Sequence, residues 1–397
     1  MKVLFITWDG PQVNYLEGLF LPIFDELSRL GFEFHILHFT WASETHLSKV
    51  RRACEESGAS YQSIRAWRTS AMGSFLSLAI GALAIRRIVS RRSIDVIMPR
   101  SIFPALSLLL SRMHKSHRIV FDADGFAADE KVEFGRIQRL SAYYRVMRYV
   151  EFRAIQVSKA VLVRTEKAAN VLDARGGAGI SRSMFNVVSN GRDPLLFSPM
   201  DHEARMHMRR RLGVDANCPV VAYAGSMGPQ YLPERIAGFF REVLKLRPGA
   251  KLLVLSSSPE PVRIHAKALG IADTSIIYAS CEQDLVPHYL ACADLGLAFR
   301  ATSWSTQGIS PIKLGEYLLC GLPVIATSGI GRTEVIDRDT GLLVEGEIPS
   351  LQEAAQWFLD EVLLDRDGYR ARCRSLGVTY FSIRSSVRSY LQALRSL

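Results

Sequence analysis

Residues 306–327 read TQGISPIKLGEYLLCGLPVIAT, a helix opening followed by a short apolar strand. Ser310 supplies an N-cap oxygen and Pro311 a first-turn residue whose missing N–H costs nothing, so the spacing predicts a helix with Lys313 at its third position. Glu316 follows three residues on, on the same face. A lysine in the first turn opposes the helix dipole, and lysine before glutamate is the less favourable order for an ion pair. The arrangement becomes favourable if an anion sits at the helix mouth. Free amides would then hold a phosphate, Lys313 would add charge, and Glu316 could accept two hydroxyl hydrogen bonds from a ribose. Phosphate and diol together point to a nucleotide.

Outward from this stretch the same rhythm recurs. PVVAYAGS, from Pro219, reads as a strand and glycine turn, Ile236 to Leu246 as a helix, and KLLVLSS, SIIYAS, LGLAFR and PVIAT continue the series. The first half shows the pattern independently. KVLFIT is a strand, Leu16 to Leu30 carry apolar residues at helical spacing, Gly31 stands where a C-cap is expected, and FEFHILHF, DVIMP, RIVFDA, KAVLVRT and MFNVVS follow. Strands alternating with helices predict parallel sheets covered on both faces. The restart near Pro219 predicts an α/β chain of two Rossmann-like, doubly wound domains, 1–195 and 196–375, with a helix over 376–397 crossing back to the first. VVSNGRDPLLFSP, residues 187–199, is the expected junction. A ligand is expected at the carboxyl ends of both sheets, in the cleft between them.

The 397 residues carry a net charge of +10. Residues 1–195 hold 27 Lys and Arg against 18 Asp and Glu, and the remainder hold 22 against 21, so the first half is the basic one. That asymmetry suits an anionic membrane surface, a phosphorylated substrate or nucleic acid. Cysteines 54, 218, 281, 292, 320 and 373 form no CxxC pair and no metal spacing, which fits a reducing cytosol. MKVLFITWDG reads as a buried strand rather than a signal peptide. FLSLAIGALAIRRIVSRR, residues 75–92, has an apolar stretch too short to span a bilayer, and reads as a core helix whose basic tail would also suit anionic head groups.

SPIKLGEYLLCGLPVIAT resembles the donor-site helix of GT-B glycosyltransferases of family 4, the glycosyl transferases group 1, whose second motif glutamate matches Glu316. VVSNGRDPLLFSP resembles that family's hinge strand, VVAYAGSMG its opening C-domain loop, and CEQDLVPHYLACADLGLAF the segment leading to its base pocket. The resemblance runs in order along nearly the whole chain. It implies a GT-B fold and retaining transfer of a sugar from a UDP- or GDP-sugar, with no metal or other cofactor. The acceptor would be an oligosaccharide or lipid-linked glycan of surface polysaccharide. The enzyme would be cytoplasmic, peripheral on the inner membrane, with no nucleic-acid partner. Donor-site candidates are Gly225, Ser226, Cys281, Glu282, Arg300, Gln307, Gly308, Ile309, Ser310, Lys313 and Glu316.

The chain also departs from the family pattern. The first motif glutamate is replaced by Gly308, beside Gln307, and Ser226, Met227 and Gln230 occupy a turn that often carries Arg and Lys. Lys313 is thus the main candidate for the diphosphate, with Arg300 and Arg332 behind it. In the first half DVIMPRS and FDADGFAADE resemble a subgroup in which the cleft histidine aligns with Asp124. A carboxylate there could orient sugar hydroxyls or stabilise positive charge at the anomeric carbon. Asp124, Lys313 and Glu316 are the catalytic candidates, and Asp9, Gly10, Asn14, Arg100 and Asp122 the acceptor-side ones. Asp122-x-Asp124 also matches the manganese motif of GT-A enzymes, which the two βα restarts oppose. A GT-B-fold epimerase and a catalytically weak scaffold remain as other classes.

Overall fold

The computed structural model describes every residue except 12, 68–70, 136 and 346–347. Two compact units emerge: residues 1–189 with 386–397, and residues 190–385. Residues 190–195 thus group with the second unit and 386–397 with the first.

The first unit is a seven-stranded, wholly parallel sheet in the order β3-β2-β1-β4-β5-β6-β7. Its strands are β1 (Lys2–Trp8), β2 (Glu33–Thr40), β3 (Ser60–Arg65), β4 (Val96–Pro99), β5 (Arg118–Asp122), β6 (Ala160–Val163) and β7 (Phe185–Val187). Strand β3 was not expected from the sequence. Only Ile64 of its SYQSIR is buried, because β3 is an edge strand with little apolar signal. The helix after β1 opens with a π turn, Leu16–Phe20, before Leu21–Ser28, and Gly31 ends it at φ +91° as expected.

The helix Ala71–Arg92 corrects the reading of a core helix too short to span a bilayer. It is long and apolar enough for that by length and composition, yet only 33% of its apolar window is buried. Leu78, Ala82, Ile85 and Val89 pack inward. At Gly81 an added Cβ would lie 2.2 Å from the Phe39 ring, so the helix rests directly on the sheet. The opposite stripe exposes Met72, Phe75, Leu76 and Leu83.

The second unit repeats the plan with six strands in the order β10-β9-β8-β11-β12-β13, again all parallel. These are β8 (Val220–Ala224), β9 (Lys251–Leu255), β10 (Ile276–Ala279), β11 (Leu295–Ala298), β12 (Val324–Thr327) and β13 (Gly341–Val344), the last also unanticipated. Alternate residues of β8 feed opposite cores: Val221 and Tyr223 join Phe239 and Phe299, while Val220, Ala222 and Ala224 join Leu314, Tyr317 and Leu318. In both sheets the strand order reverses beside the first strand, between β1 and β4 and between β8 and β11. Ligands bind such sheets outside the carboxyl ends at that switch point.

Candidate functional site

The helix Ile312–Leu319 stands beyond β11 with its amino end at the switch point of the second sheet. Two close packings fix it. Tyr317 is fully buried against Gly296, where a Cβ would meet its ring at 2.6 Å, and its hydroxyl accepts a hydrogen bond from the Ala224 amide at 2.7 Å. Gly315 lies against Phe381, whose Cβ would be 2.8 Å from an added methyl. Either glycine replaced by alanine would force the helix off β11 or off its neighbouring helix.

The helix start differs from the sequence reading in one respect. Pro311, not Ser310, is the N-cap, and no side chain caps the amides. Proline at that position carries no side-chain acceptor, and the Ser310 Oγ is buried with no hydrogen-bond partner among the described residues. Lys313 therefore falls at the second helical position. The Ser310 carbonyl is held by Asn190 Nδ2 at 2.8 Å. Gly331, at φ +40°, closes on the same loop, since a Cβ there would sit 1.6 Å from the Ile309 carbonyl oxygen. Any side chain at 331 would displace Ile309 and Ser310.

Lys313 does not reach back to Glu316. Its Nζ donates to the Tyr223 hydroxyl at 2.7 Å and lies 3.9 Å and 4.5 Å from the ring centroids of Tyr223 and Tyr231. Tyr223 in turn donates to the Ser226 carbonyl at 2.5 Å. Gly225, at φ +131°, makes room: a Cβ there would be 3.3 Å from Lys313 Nζ. Burial, reinforced by the like charge of Arg300 and only partly offset by Glu316, pushes the Lys313 ammonium down to about 7. Arg300 itself lies over Tyr231, and Arg332 over Tyr380.

Glu316 is claimed on one side by Arg192, whose Nε donates to Oε1 at 2.9 Å with both side chains nearly buried. The other carboxylate oxygen accepts nothing from the described residues. Gln307 and Gly308 form the 3-10 turn Ser305–Gly308 leading into this loop, with Gly308 buried. Cys281 and Glu282 follow the edge strand β10, and no hydrogen bond or ion pair among the described residues ties them to Lys313. Sequence reasoning missed Asn190, Arg192, Tyr223 and Tyr231. The first two sit in the quoted NGR stretch, but their partners lie 120 and 124 residues away.

In the first unit, four of the anticipated residues converge at the strand ends. Arg100, nearly buried, donates from Nη1 to Asp9 at 3.3 Å and from Nη2 to Asp124 at 2.5 Å, with Tyr15 and Phe20 flanking its guanidinium. Asp122 is wholly buried and paired with Arg164 at 2.8 Å; Arg164 also stands 3.6 Å from Asp124. Burial raises the Asp122 carboxyl, against the pull of Arg164. Both aspartates of the DAD stretch are thus engaged by arginine, and no cluster of three or more metal-ligating side chains occurs among the described residues. Gly10 and Asn14 lie in the loop after β1, the first buried and the second exposed. Tyr390, from the returning C-terminal segment, is buried beside Asp122 and Arg164, which no local sequence signal announces.

The backbone here is strained. Asp124 adopts φ +52°, Gly125 φ +91°, and Ser101 φ +66° with ψ −174°, a region otherwise reserved for glycine. The Ser101 amide donates to the Asp122 carbonyl at 2.8 Å, which couples the two loops. Non-glycine residues held this way cost about 1–3 kcal/mol each and collect at functional sites. Asp124 itself keeps 29% of its side chain exposed, enough to meet a ligand.

Residues 218–361 match the family model for glycosyl transferases group 1. A GDP-mannose-dependent monoacylated alpha-(1-6)-phosphatidylinositol monomannoside mannosyltransferase of Corynebacterium glutamicum is 26% identical over 185 residues, 46% of this chain and 48% of the relative. A D-inositol 3-phosphate glycosyltransferase of Segniliparus rotundus is 30% identical over 178 residues, 43% of this chain and 38% of the relative. The chain spans about half or less of the length of these curated relatives. The crystal structure of Anabaena Alr3699/HepE in complex with UDP and glucose superposes over 100% of both chains with a TM-score of 0.73 at 16% identity. The fold is GT-B.

Proposed function

We propose that this chain is a glycosyltransferase of the group 1 type that takes a sugar from a nucleoside diphosphate. The carrying observation is the uncapped amino end of Ile312–Leu319, with the Ser310 hydroxyl unpartnered beside it and Lys313 folded under Gly225. A diphosphate at this end would take the free amides, satisfy Ser310 and draw Lys313 off Tyr223. Glu316, oriented by Arg192 through one oxygen, would offer the other to the ribose diol.

The reading extends to retention at the anomeric carbon. The acceptor oxygen bonds to that carbon as the carbon–phosphate oxygen bond breaks on the same face, and the departing diphosphate takes the acceptor's proton. Asp124, fixed by Arg100, would orient sugar hydroxyls or stabilise the positive charge that develops. With amides and Lys313 neutralising the diphosphate, no metal is needed, so transfer should survive chelator. The acceptor class is a glycan or lipid-linked oligosaccharide of surface polysaccharide. The helix Ala71–Arg92 would rest on an anionic cytoplasmic leaflet, its exposed Met72, Phe75, Leu76 and Leu83 followed by exposed Arg86, Arg87, Arg91 and Arg92.

A melting panel with UDP, GDP, ADP and dTDP tests the assignment. One diphosphate at saturation should stabilise the protein by about 2–4 kcal/mol, and its sugar conjugate should be turned over with acceptor. No shift with any of the four would refute the donor site. Isomerised free donor without acceptor would favour the epimerase class instead.

A further inference from the structure

The second unit holds another cavity, of about 410 Å³, at the amino ends of its strands and so at the end of the sheet away from Lys313. Asp294, Pro323 and Asn217, which precede β11, β12 and β8, all line it. We propose that this cavity binds a phosphate monoester carried on a small soluble molecule such as a sugar or polyol.

Asp294 anchors the cavity wall. Its buried carboxylate takes Arg205 at 2.7 Å, Arg209 at 3.0 Å, Arg366 at 3.0 Å and the Val220 amide at 2.9 Å. Three cations on one anion is more than pairing requires. Arg209 also spends its remaining donors on the carbonyls of Cys292, Asp215, Ala216 and Cys218, and Arg205 on those of Ala291 and Ala293, so these two build the wall. Arg366 and Arg370 differ. Arg366 uses only Nε, on Asp294, and Arg370 only Nη2, on the Met200 carbonyl. The Nη pair of Arg366 and the Nε and Nη1 of Arg370 donate to none of the described residues.

Their placement is unfavourable as it stands. The two are one turn apart, a repulsive spacing for like charges, and Arg366, 42% exposed, is the first residue of the helix Arg366–Phe381, whose positive pole is partly offset by the Asp365 cap and by Asp367. Arg370 is held below its ordinary range, first by burial and then by Arg205, with Asp367 and Asp201 only partly compensating. A dianion between the two guanidinium groups would relieve each of these costs and take several charge-assisted bonds. The cavity volume suits a small metabolite, and His202 and Asn217 on its lining could meet hydroxyls.

The site also touches the donor helix. Cys320 and Gly321, which end Ile312–Leu319, line the cavity, and Gly321 at φ +74° packs so closely that a Cβ would lie 2.7 Å from Arg370 Cγ.

Calorimetry with glycerol 3-phosphate, and separately inorganic phosphate, tests the proposal on the full chain with its nucleotide site blocked by saturating diphosphate. Saturable one-to-one binding is expected, weakened about tenfold or more by Arg366→Gln and by the exposed rim change His202→Glu, and unaltered by Lys313→Ala. The melting curve of every variant, and the diphosphate affinity of the two cavity variants, report whether the fold is intact. Loss of phosphate binding in Lys313→Ala, retention in both cavity variants, or binding only to phosphatidic acid vesicles would each overturn it.

Discussion

Lys313 Nζ stands 2.7 Å from the Tyr223 hydroxyl and over the face of the same ring, a cation stored beneath the turn at Gly225 rather than paired with the glutamate three residues on. The lysine is thereby kept at a cost, at the wrong pole of its helix and pushed down to about 7 by burial. On the proposed reading a bound diphosphate offsets that cost, so removing the lysine should be informative in two opposite ways.

The first concerns stability. An unfolded lysine titrates near 10.4, so between about 7 and 10 the unfolded chain binds more protons than the folded one, and stability rises with pH. Below about 7 the full penalty of the buried charge is present. Lys313→Met should therefore be more stable than wild type at pH 6, by about 1–2 kcal/mol, and the gain should vanish towards pH 10. Denaturant melts at both pH values measure it; a variant less stable at pH 6 would contradict the burial argument.

The Arg192–Glu316 pair should behave as a unit. Glu316→Gln strands a nearly buried guanidinium and should cost about 2–3 kcal/mol, as should Arg192→Met, while the double variant should lose much less than the sum. Glu316→Gln should also erase the preference for ribo- over 2′,3′-dideoxyribonucleotides. Additive losses with the preference intact would separate Glu316 from the ribose.

Asp124 can be probed without disturbing its backbone, because asparagine tolerates φ +52° and alanine does not. Asp124→Asn should cost about 1–3 kcal/mol, with Asp9 still facing Arg100, and lose on the order of a hundredfold in kcat with donor affinity unchanged. Asp124→Ala should lose activity and additional stability. Full turnover by the asparagine variant would confine Asp124 to orienting Arg100.

Sedimentation with vesicles tests the exposed stripe of Ala71–Arg92. Binding should require anionic lipid, weaken with salt, and fall about tenfold in Phe75→Asp, whose side chain is 64% exposed. Equal binding to neutral vesicles would remove the electrostatic part of the reading.

Much of the architecture was legible because periodicity is local. Eleven of the thirteen strands carry apolar runs that the sequence displays, whereas β3 and β13, SYQSIR and GLLV, lie outermost in their sheets, the first too polar to stand out and the second, though no shorter than β4 or β12, passed over. The helix Ile312–Leu319 was legible through Ser310, Lys313 and Glu316, all close in sequence. Its true cap was not, since Ser310 precedes a proline that can itself hold the N-cap backbone, φ −64° and ψ 118°. The partners that give the site its chemistry, Tyr223 under Lys313, Arg192 on Glu316 and Tyr390 beside Asp122, arrive from 90, 124 and more than 200 residues away. No window of sequence contains them.

The central claim is that a diphosphate seats at the amino end of Ile312–Leu319 and takes Lys313 as its counter-ion. Isothermal titration of the preferred nucleoside diphosphate and of the bare nucleoside, in wild type and Lys313→Met at pH 7, addresses it directly. Wild type should bind the diphosphate far more tightly, with proton uptake visible as a buffer-dependent heat, and the variant should bind both ligands alike. An undiminished diphosphate affinity in Lys313→Met, with no proton uptake in wild type, would place the phosphates elsewhere.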